Sequence, residues 1–166
     1  MAKDDDKSKP SVDEDELDQS TQEALERAAD TVCKECMQIQ RSENILVVTD
    51  PHTAIIGRAL YEAATKISDR VLLVMMPTTH RHGDEPPGPV SDLMRKQDVV
   101  LAPTRYSLTH TRARMQACRE GTRIATMPGI TLQMFTEGGM TTDFNTMQSA
   151  IAQLGKKLKR QRSVNV

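Results

Sequence analysis

The sequence predicts an α/β fold, a three-layer αβα sandwich with a central, mostly parallel sheet of at least four strands. Short β-branched runs alternate with segments whose apolar residues recur at three- and four-residue steps, as in strands joined by crossover helices. The chain has 166 residues, which suits one hydrophobic core because domains cluster at roughly 100–150 residues. Parallel strands are covered on both faces, so we expect right-handed crossovers with helices on each side of the sheet.

Each element has its own sequence signal. A helix is indicated where apolar residues have helical spacing, and a strand where a β-branched run is bounded by polar turns. Residues 77–89 are rich in Pro and Gly and predict a long loop, which in compact domains is usually functional or mobile. The predicted helices cover residues 23–40, 54–66, 90–96, 107–120 and 143–159, and the predicted strands cover residues 45–49, 71–75, 98–102 and 123–126.

Charge divides the chain into three parts. Residues 1–22 form an acidic tail, in which clustered Asp and Glu with almost nothing apolar beside them predict disorder. Residues 23–160 form the α/β domain. Residues 161–166 end in apolar residues at a period of two, the pattern with which the first strand of a further, C-terminal domain would begin.

Composition argues against two classes of partner. Aromatic residues make up 2% of the chain and there is no Trp, whereas binding of single-stranded nucleic acid usually needs aromatic stacking platforms. The longest strongly apolar run, residues 71–76, is far shorter than the roughly 20 residues of a membrane helix, and the polar N-terminus has no signal-peptide core. We therefore expect a cytoplasmic protein that binds neither nucleic acid nor membrane.

The turn after the first strand contains the first candidate site residues. Asp50 and His52 follow the strand over residues 45–49, and open α/β sheets bind ligands at the carboxyl ends of their strands. Capping explains the turn about as well, because an Asp or Thr side chain accepts hydrogen bonds from the free amides of the next helix. The turn has no Gly-rich phosphate-binding motif, so the sequence does not favour a nucleotide-dependent enzyme.

The cysteines and the loop histidines give weak metal-binding signals. Cys33 and Cys36 lie within the first predicted helix without enough partners for zinc, and we interpret them as small buried apolar residues. His80 and His82, followed by Glu85, supply metal donors on a loop that has no rigid scaffold. Neither group is assigned as a metal site.

The start of the helix over residues 107–120 admits a catalytic and a structural interpretation. Ser107 and His110 could pair as nucleophile and base, but neither an orienting acid nor an oxyanion site can be placed beside them. Ser107 as the N-cap of this helix is the simpler explanation, and Arg112 then meets an anion or an acidic neighbour. The candidate ligand or interface positions are Asp50, His52, Glu85, Ser107, His110 and Arg112.

Four ordered segments, at residues 85–89, 98–101, 107–114 and 121–130, together resemble the aminopeptidase T family of metal-dependent, leucyl aminopeptidase-like proteins. The resemblance runs from about residue 44 to residue 143. It implies the N-terminal α/β domain of such a peptidase. It also implies a divalent metal, zinc, cobalt or manganese, which in the full-length family is held by residues of a C-terminal half. We therefore expect no catalytic residue, metal ligand or cofactor in this chain.

Two functions remain open at this point. The chain is either the N-terminal domain of a truncated or split peptidase, inactive alone, or a stand-alone interaction or small-molecule-binding domain without catalysis. The expected partner is a separate C-terminal catalytic half or a second copy of the chain. The docking face is expected on the apolar side of the last helix, together with the end strand over residues 164–166; the helix residues are Met147, Ile151, Leu154 and Leu158.

Overall fold

The computed structural model describes residues 17–138 and 144–160. The strands are β1 (Ile45–Thr49), β2 (Val71–Met75), β3 (Val99–Thr104) and β4 (Arg123–Pro128). The helices are α1 (Gln19–Thr31), which continues into a π-helical turn (Val32–Cys36), α2 (Ala54–Thr65), α3 (Gly88–Met94), α4 (Arg112–Arg119), α5 (Leu132–Glu137) and α6 (Phe144–Arg160).

The four strands form one parallel sheet in the order β2-β1-β3-β4. Ile45 of β1 is in register with Val71 of β2 and Val99 of β3, and Val99 is in register with Arg123 of β4. Every residue of the two central strands is buried, whereas both outer strands are partly exposed. The predicted α/β class with a parallel sheet of four strands is confirmed.

Side chains of the central strands alternate between two apolar clusters, one on each face of the sheet. Ile45 and Val47 face one cluster, which also contains apolar residues of α1, α2 and α5. Leu46 and Val48 face the other, which contains apolar residues of α3 and α4. The period of two in β1 thus supplies both cores and gives the three layers.

The first helix begins at Gln19 rather than at residue 23, because Asp18 caps it. The Asp18 carboxylate accepts the Thr21 N–H at 3.1 Å and the Ser20 hydroxyl at 2.5 Å. These hydrogen bonds, that of the Ser20 hydroxyl first, lower the pKa of Asp18 to about 2. Residues 19–22, predicted to belong to the acidic tail, are therefore helical. The predictions for residues 1–16 and 161–166 lie outside the described residues.

Gly57 allows α2 to lie directly against β1. A Cβ atom at this position would come 2.7 Å from Cβ and 2.8 Å from Oγ1 of Thr49. The Thr49 hydroxyl is itself held, because it shares a hydrogen bond of 3.0 Å with the Thr53 hydroxyl. Thr49 is fully buried, so there is little room into which its side chain could move.

Gly57→Ala is expected to lower the free energy of unfolding by about 1–3 kcal/mol, because an added methyl group in a packed interior forces its neighbours apart. Denaturant unfolding followed by circular dichroism measures this change. The matched control is Gly88→Ala, where a Cβ atom meets nothing within 4 Å and the change should stay within about 0.5 kcal/mol. Equal stabilities of Gly57→Ala and the wild type would contradict this packing.

Polar side chains join the loops at the amino edge of the sheet. Arg123 donates to Glu43 from both terminal nitrogens, at 2.7 Å and 3.1 Å. Asp98 accepts the Asn44 N–H at 2.7 Å. The hydrogen bonds from Arg123 hold the pKa of Glu43 below its usual range, and the Asn44 N–H does the same for the pKa of Asp98. Both carboxylates therefore stabilise the fold in their ionised form.

Stability is expected to fall with pH through the ordinary Glu range near about 4.3 and below. Because the folded-state pKa of Glu43 is depressed, its contribution is present above the unfolded-state pKa and is lost as the pH drops through the folded-state pKa. Glu43→Gln should lower Tm at neutral pH and reduce the loss of Tm between about pH 6 and pH 3. Thermal unfolding over this range is the measurement, with exposed Glu26→Gln as the control. A pH profile for Glu43→Gln parallel to that of the wild type would count against this role.

Candidate functional site

The sheet has a topological switch point between β1 and β3. The chain passes from β1 to β2 on one side and from β3 to β4 on the other, so the loops after β1 and β3 diverge at the carboxyl edge. Ligands of open α/β sheets bind in the crevice that such a divergence creates. Asp50 and His52 follow β1 at this edge, and Arg105 and Tyr106 follow β3.

Asp50 joins the two diverging loops. Its side chain is 1% exposed, and its Oδ2 accepts the Arg105 N–H at 2.7 Å. Its Oδ1 accepts the His52 N–H at 3.0 Å and the Thr53 hydroxyl at 3.3 Å. Three donors therefore satisfy this buried carboxylate, and its role is to position the backbone of the two loops. Neither Asp50 nor Thr53 accepts a hydrogen bond from an amide of α2, so the capping role predicted for this turn is wrong, while the ligand-binding role stays a prediction.

Four planar side chains lie in a row at this edge, and we call His52, Arg105, Tyr106 and His82 the carboxyl-edge row. Arg105 Nη1 lies 3.0 Å from His52 Nε2, and the guanidinium carbon lies 5.5 Å from the centre of the Tyr106 ring. The rings of His82 and Tyr106 meet edge-on with their centroids 5.3 Å apart. Both histidines are exposed, while Arg105 and Tyr106 are half-buried. The row brings imidazole, guanidinium and phenol groups to the surface together.

The long loop before α3 is attached to the exit of β3. Gly83, with φ +88°, donates its N–H to the Ser107 carbonyl at 2.9 Å, and Ser107 donates its N–H to Nδ1 of His82 at 3.0 Å. Within the loop, Asp84 accepts the N–H and the Nε–H of Arg81, each at 3.0 Å. These bonds hold His82 beside Tyr106.

The helix predicted over residues 107–120 begins at Arg112, so the prediction that Ser107 caps it is wrong. Thr111 is its N-cap. The Glu85 carboxylate accepts the N–H groups of Arg112 at 2.6 Å and Ala113 at 3.1 Å. A carboxylate from a distant loop thus satisfies the first amides of α4, and local capping rules contain no information about such a partner.

The structure brings some of the predicted positions together and leaves others apart. His52 belongs to the carboxyl-edge row, and Ser107 supports the row through its bond to His82. Glu85 serves the N-terminus of α4. The side chains of His110 and Arg112 are exposed, and within residues 17–138 and 144–160 they make no hydrogen bond or ion pair.

Arg105 and Tyr106 were not predicted as site residues, although a signal for them exists. The rule that selects Asp50, its position just after a strand, applies equally to the end of β3. The predicted strand stops at Ala102, whereas β3 continues to Thr104 with every residue buried. Extending the strand by two residues would have placed Arg105 at the edge of the sheet.

The cysteines lie away from the carboxyl-edge row. Cys33 is fully buried and donates to the Leu60 carbonyl at 3.8 Å, and burial raises its pKa to about 12. Cys36 is exposed, so the interpretation of both residues as buried is right for Cys33 only. The described residues hold no group of three or more His, Cys, Asp or Glu side chains placed to share a metal ion. In the same part of the chain, no helix combines the length and the apolar character needed to cross a membrane.

Two shallow concave surfaces lie at the opposite, amino edge of the sheet and share no residue with the carboxyl-edge row. Arg123 of the second surface is paired with Glu43. The surfaces are lined by Asn44, Arg70, Leu72 and Lys96, among others, and by Cys36, Gln40, Glu43 and Arg123, among others.

Comparison with known proteins shows that the fold of this chain is similar to part of one solved structure. No protein-family model matches the chain, and no curated protein matches it in sequence. Among solved structures, the chain is similar to a 2,5-dihydroxypyridine dioxygenase from Pseudomonas putida, with a TM-score of 0.52 and 19% identity. The match covers 63% of this chain and 34% of the dioxygenase, so the chain spans about a third of that protein's length. At this identity the likeness concerns the fold alone.

The resemblance to the aminopeptidase T family is corrected by this result. The structure that the chain resembles is a dioxygenase, and no similarity to an aminopeptidase accompanies it, so the descriptions aminopeptidase, metallopeptidase and hydrolase are wrong for this chain. The segments behind the resemblance contain residues that turns and helix starts of this topology require. Pro89 lies in the first turn of α3, and Gly129 turns the chain after β4 with φ +64°.

Asp50→Ala is expected to lower the free energy of unfolding by about 1–3 kcal/mol, because the buried donors that it satisfies lose their acceptor. Hydrogen exchange should also show faster exchange of the Arg105 amide. Asp69→Ala, at an exposed turn before β2, is the control and should change neither quantity. Unchanged protection of Arg105 in Asp50→Ala would contradict the proposed connection between the loops.

Proposed function

We propose that this chain is a small-molecule-binding α/β domain whose ligand is a small anion, with a carboxylate or phosphate group, at the carboxyl edge between β1 and β3. The observation that carries the proposal is the carboxyl-edge row. His52, Arg105, Tyr106 and His82 lie in contact with one another at the switch point of the sheet, which is where folds of this kind bind ligands.

The charge balance of this edge favours an anion. Three carboxylates of the described loops at this edge are engaged with the chain: Asp50 by three donors, Glu85 by the first amides of α4, and Asp84 by Arg81. The Arg105 guanidinium and the Tyr106 hydroxyl of the row are both able to donate hydrogen bonds. A guanidinium is also the side chain best suited to a planar carboxylate or a phosphate, because its N–H groups form a rigid fork.

Binding without catalysis explains the site better than a hydrolytic reaction does. The Ser107 hydroxyl donates to Thr109 at 2.9 Å, and His110 makes no hydrogen bond within the described residues. A nucleophile needs a base within hydrogen-bond reach and an acid that orients the base. The activity of the structural neighbour is not carried over, since the likeness covers 34% of that protein.

Titration with inorganic phosphate and, separately, with malonate, followed by amide and imidazole NMR signals, tests the proposal. We expect saturable shifts at His52, His82 and residues 105–107, with a Kd of about 1 mM for such minimal probes. The stronger of the two titrations would identify the preferred anionic group. Arg105→Gln should weaken binding by about tenfold or more, while its backbone bond to Asp50 remains.

The matched control is Arg119→Gln, which removes one exposed cation from the last turn of α4. This variant should bind the anions as tightly as the wild type does, because we attribute binding to the Arg105 side chain and not to the net positive charge of the chain. Equal affinities of Arg105→Gln and the wild type would overturn the proposal. Shifts confined to Arg70 and Lys96 at the amino edge would also overturn it, since they would place the ligand in the opposite concavity.

A further inference from the structure

An exposed apolar seam follows one side of α6. We call Met147, Ile151, Leu154 and Leu158 the α6 seam; their exposures are 41%, 61%, 56% and 51%. Successive members are four, three and four residues apart, the spacing of the core positions of a coiled coil. The described part of the chain leaves this row uncovered, although α6 contacts the π-helical turn.

The spacing of the seam is the same in both directions along the helix. Reversed, the steps still read four, three and four. Two copies of α6 laid side by side in opposite directions therefore match every seam residue, Met147 with Leu158 of the other copy and Ile151 with Leu154. A surface that complements itself under a two-fold rotation is what an isologous dimer requires.

Gly155 supplies an independent observation at the border of the seam. A glycine inside a helix costs about 1 kcal/mol relative to alanine. A Cβ atom at Gly155 would meet nothing within 4 Å, so packing within the described chain does not explain it. Ala150, on the other border, is also small. Small residues beside an apolar seam permit another helix to approach closely.

Charge selects the direction of the partner helix. Residues 144–160 contain no acidic residue, and their cations, which begin at Lys156 and Lys157, are all in the last part of the helix. Parallel pairing would bring these cations together, whereas antiparallel pairing separates them by most of the helix length. The helix dipoles are also opposed in the antiparallel arrangement, which is favourable.

We propose that α6 is a self-association surface, on which a second copy of this chain packs antiparallel through the α6 seam. A contact between two helices of this length buries less than the roughly 1,200 Å² at which stable complexes begin, so the dimer dissociates in the micromolar range or above. The self-matching spacing, the unexplained glycine and the charge distribution each favour a copy of the same helix as the occupant.

Sedimentation velocity of the full chain over a concentration series tests the association. The expected result is a shift from monomer to dimer with rising concentration. Ile151→Asp should weaken the dimer at least about tenfold, because it places a charge in the apolar contact. Gln153→Asp adds the same charge to an exposed position off the seam and should leave the equilibrium unchanged.

The Gly155→Ala variant distinguishes close packing of the two helices at Gly155 from a general effect of helix stability on dimer formation. Alanine has a higher helix propensity than glycine, so the dimer would become tighter if its affinity depended only on the stability of α6. Contact at Gly155 predicts a weaker dimer instead, with unchanged or higher thermal stability of the monomer. A monomer at every concentration, or a dimer that Ile151→Asp leaves intact, would overturn the proposal.

Disulfide trapping tests the direction of pairing. In a background with Cys36→Ser and Cys118→Ser, a mixture of Met147→Cys and Leu158→Cys chains should form the mixed disulfide, whereas neither variant should cross-link with itself. Cross-linking of each variant alone, without the mixed product, would show parallel helices and overturn the antiparallel arrangement. Circular dichroism confirms that each variant remains folded.

Discussion

The complete burial of β1 and β3 is the constraint on which the rest of this structure depends. Their side chains are shared between two apolar clusters, so helices must cover both faces of the sheet. Buried strands cannot end in unsatisfied polar groups, and their polar continuations therefore gather at the two edges. The polar contacts described above are consequently found at the two edges of the sheet.

The two edges use their charged groups differently. At the amino edge, Arg123 pairs with Glu43, and Asp98 accepts the Asn44 N–H. These charged groups therefore have partners within the chain. At the carboxyl edge, the Asp50 carboxylate also has partners within the chain, namely two backbone N–H groups and one hydroxyl. Asp50 is satisfied without a cation, and the Arg105 guanidinium lies beside His52 and Tyr106. The position of these planar groups at the switch point of the sheet is what supports the proposed ligand site.

The sequence predicts the sheet well because each strand is defined by its own residues. Ile45–Thr49 is a β-branched run that would be buried in any arrangement of this class, and it is found where it was expected. The start of α4 is different, because it depends on Glu85, which lies 27 residues before Arg112. The carboxyl-edge row likewise depends on the approach of His52 and Arg105, 53 residues apart. Contacts between residues so far apart in sequence produce no local periodicity, so they could not be predicted from the sequence pattern.

The proposed ligand site and the proposed dimer surface share no residue. α6 contacts the π-helical turn, and Cys36 at the end of that turn lines the same concave surface as Glu43 and Arg123 of the amino edge. The carboxyl-edge row lies at the other ends of the strands. The α6 seam contains no member of the row, so pairing through the seam needs none of its groups. Ligand binding and self-association should then be independent in affinity, since coupling would require an element with two arrangements that contacts both surfaces.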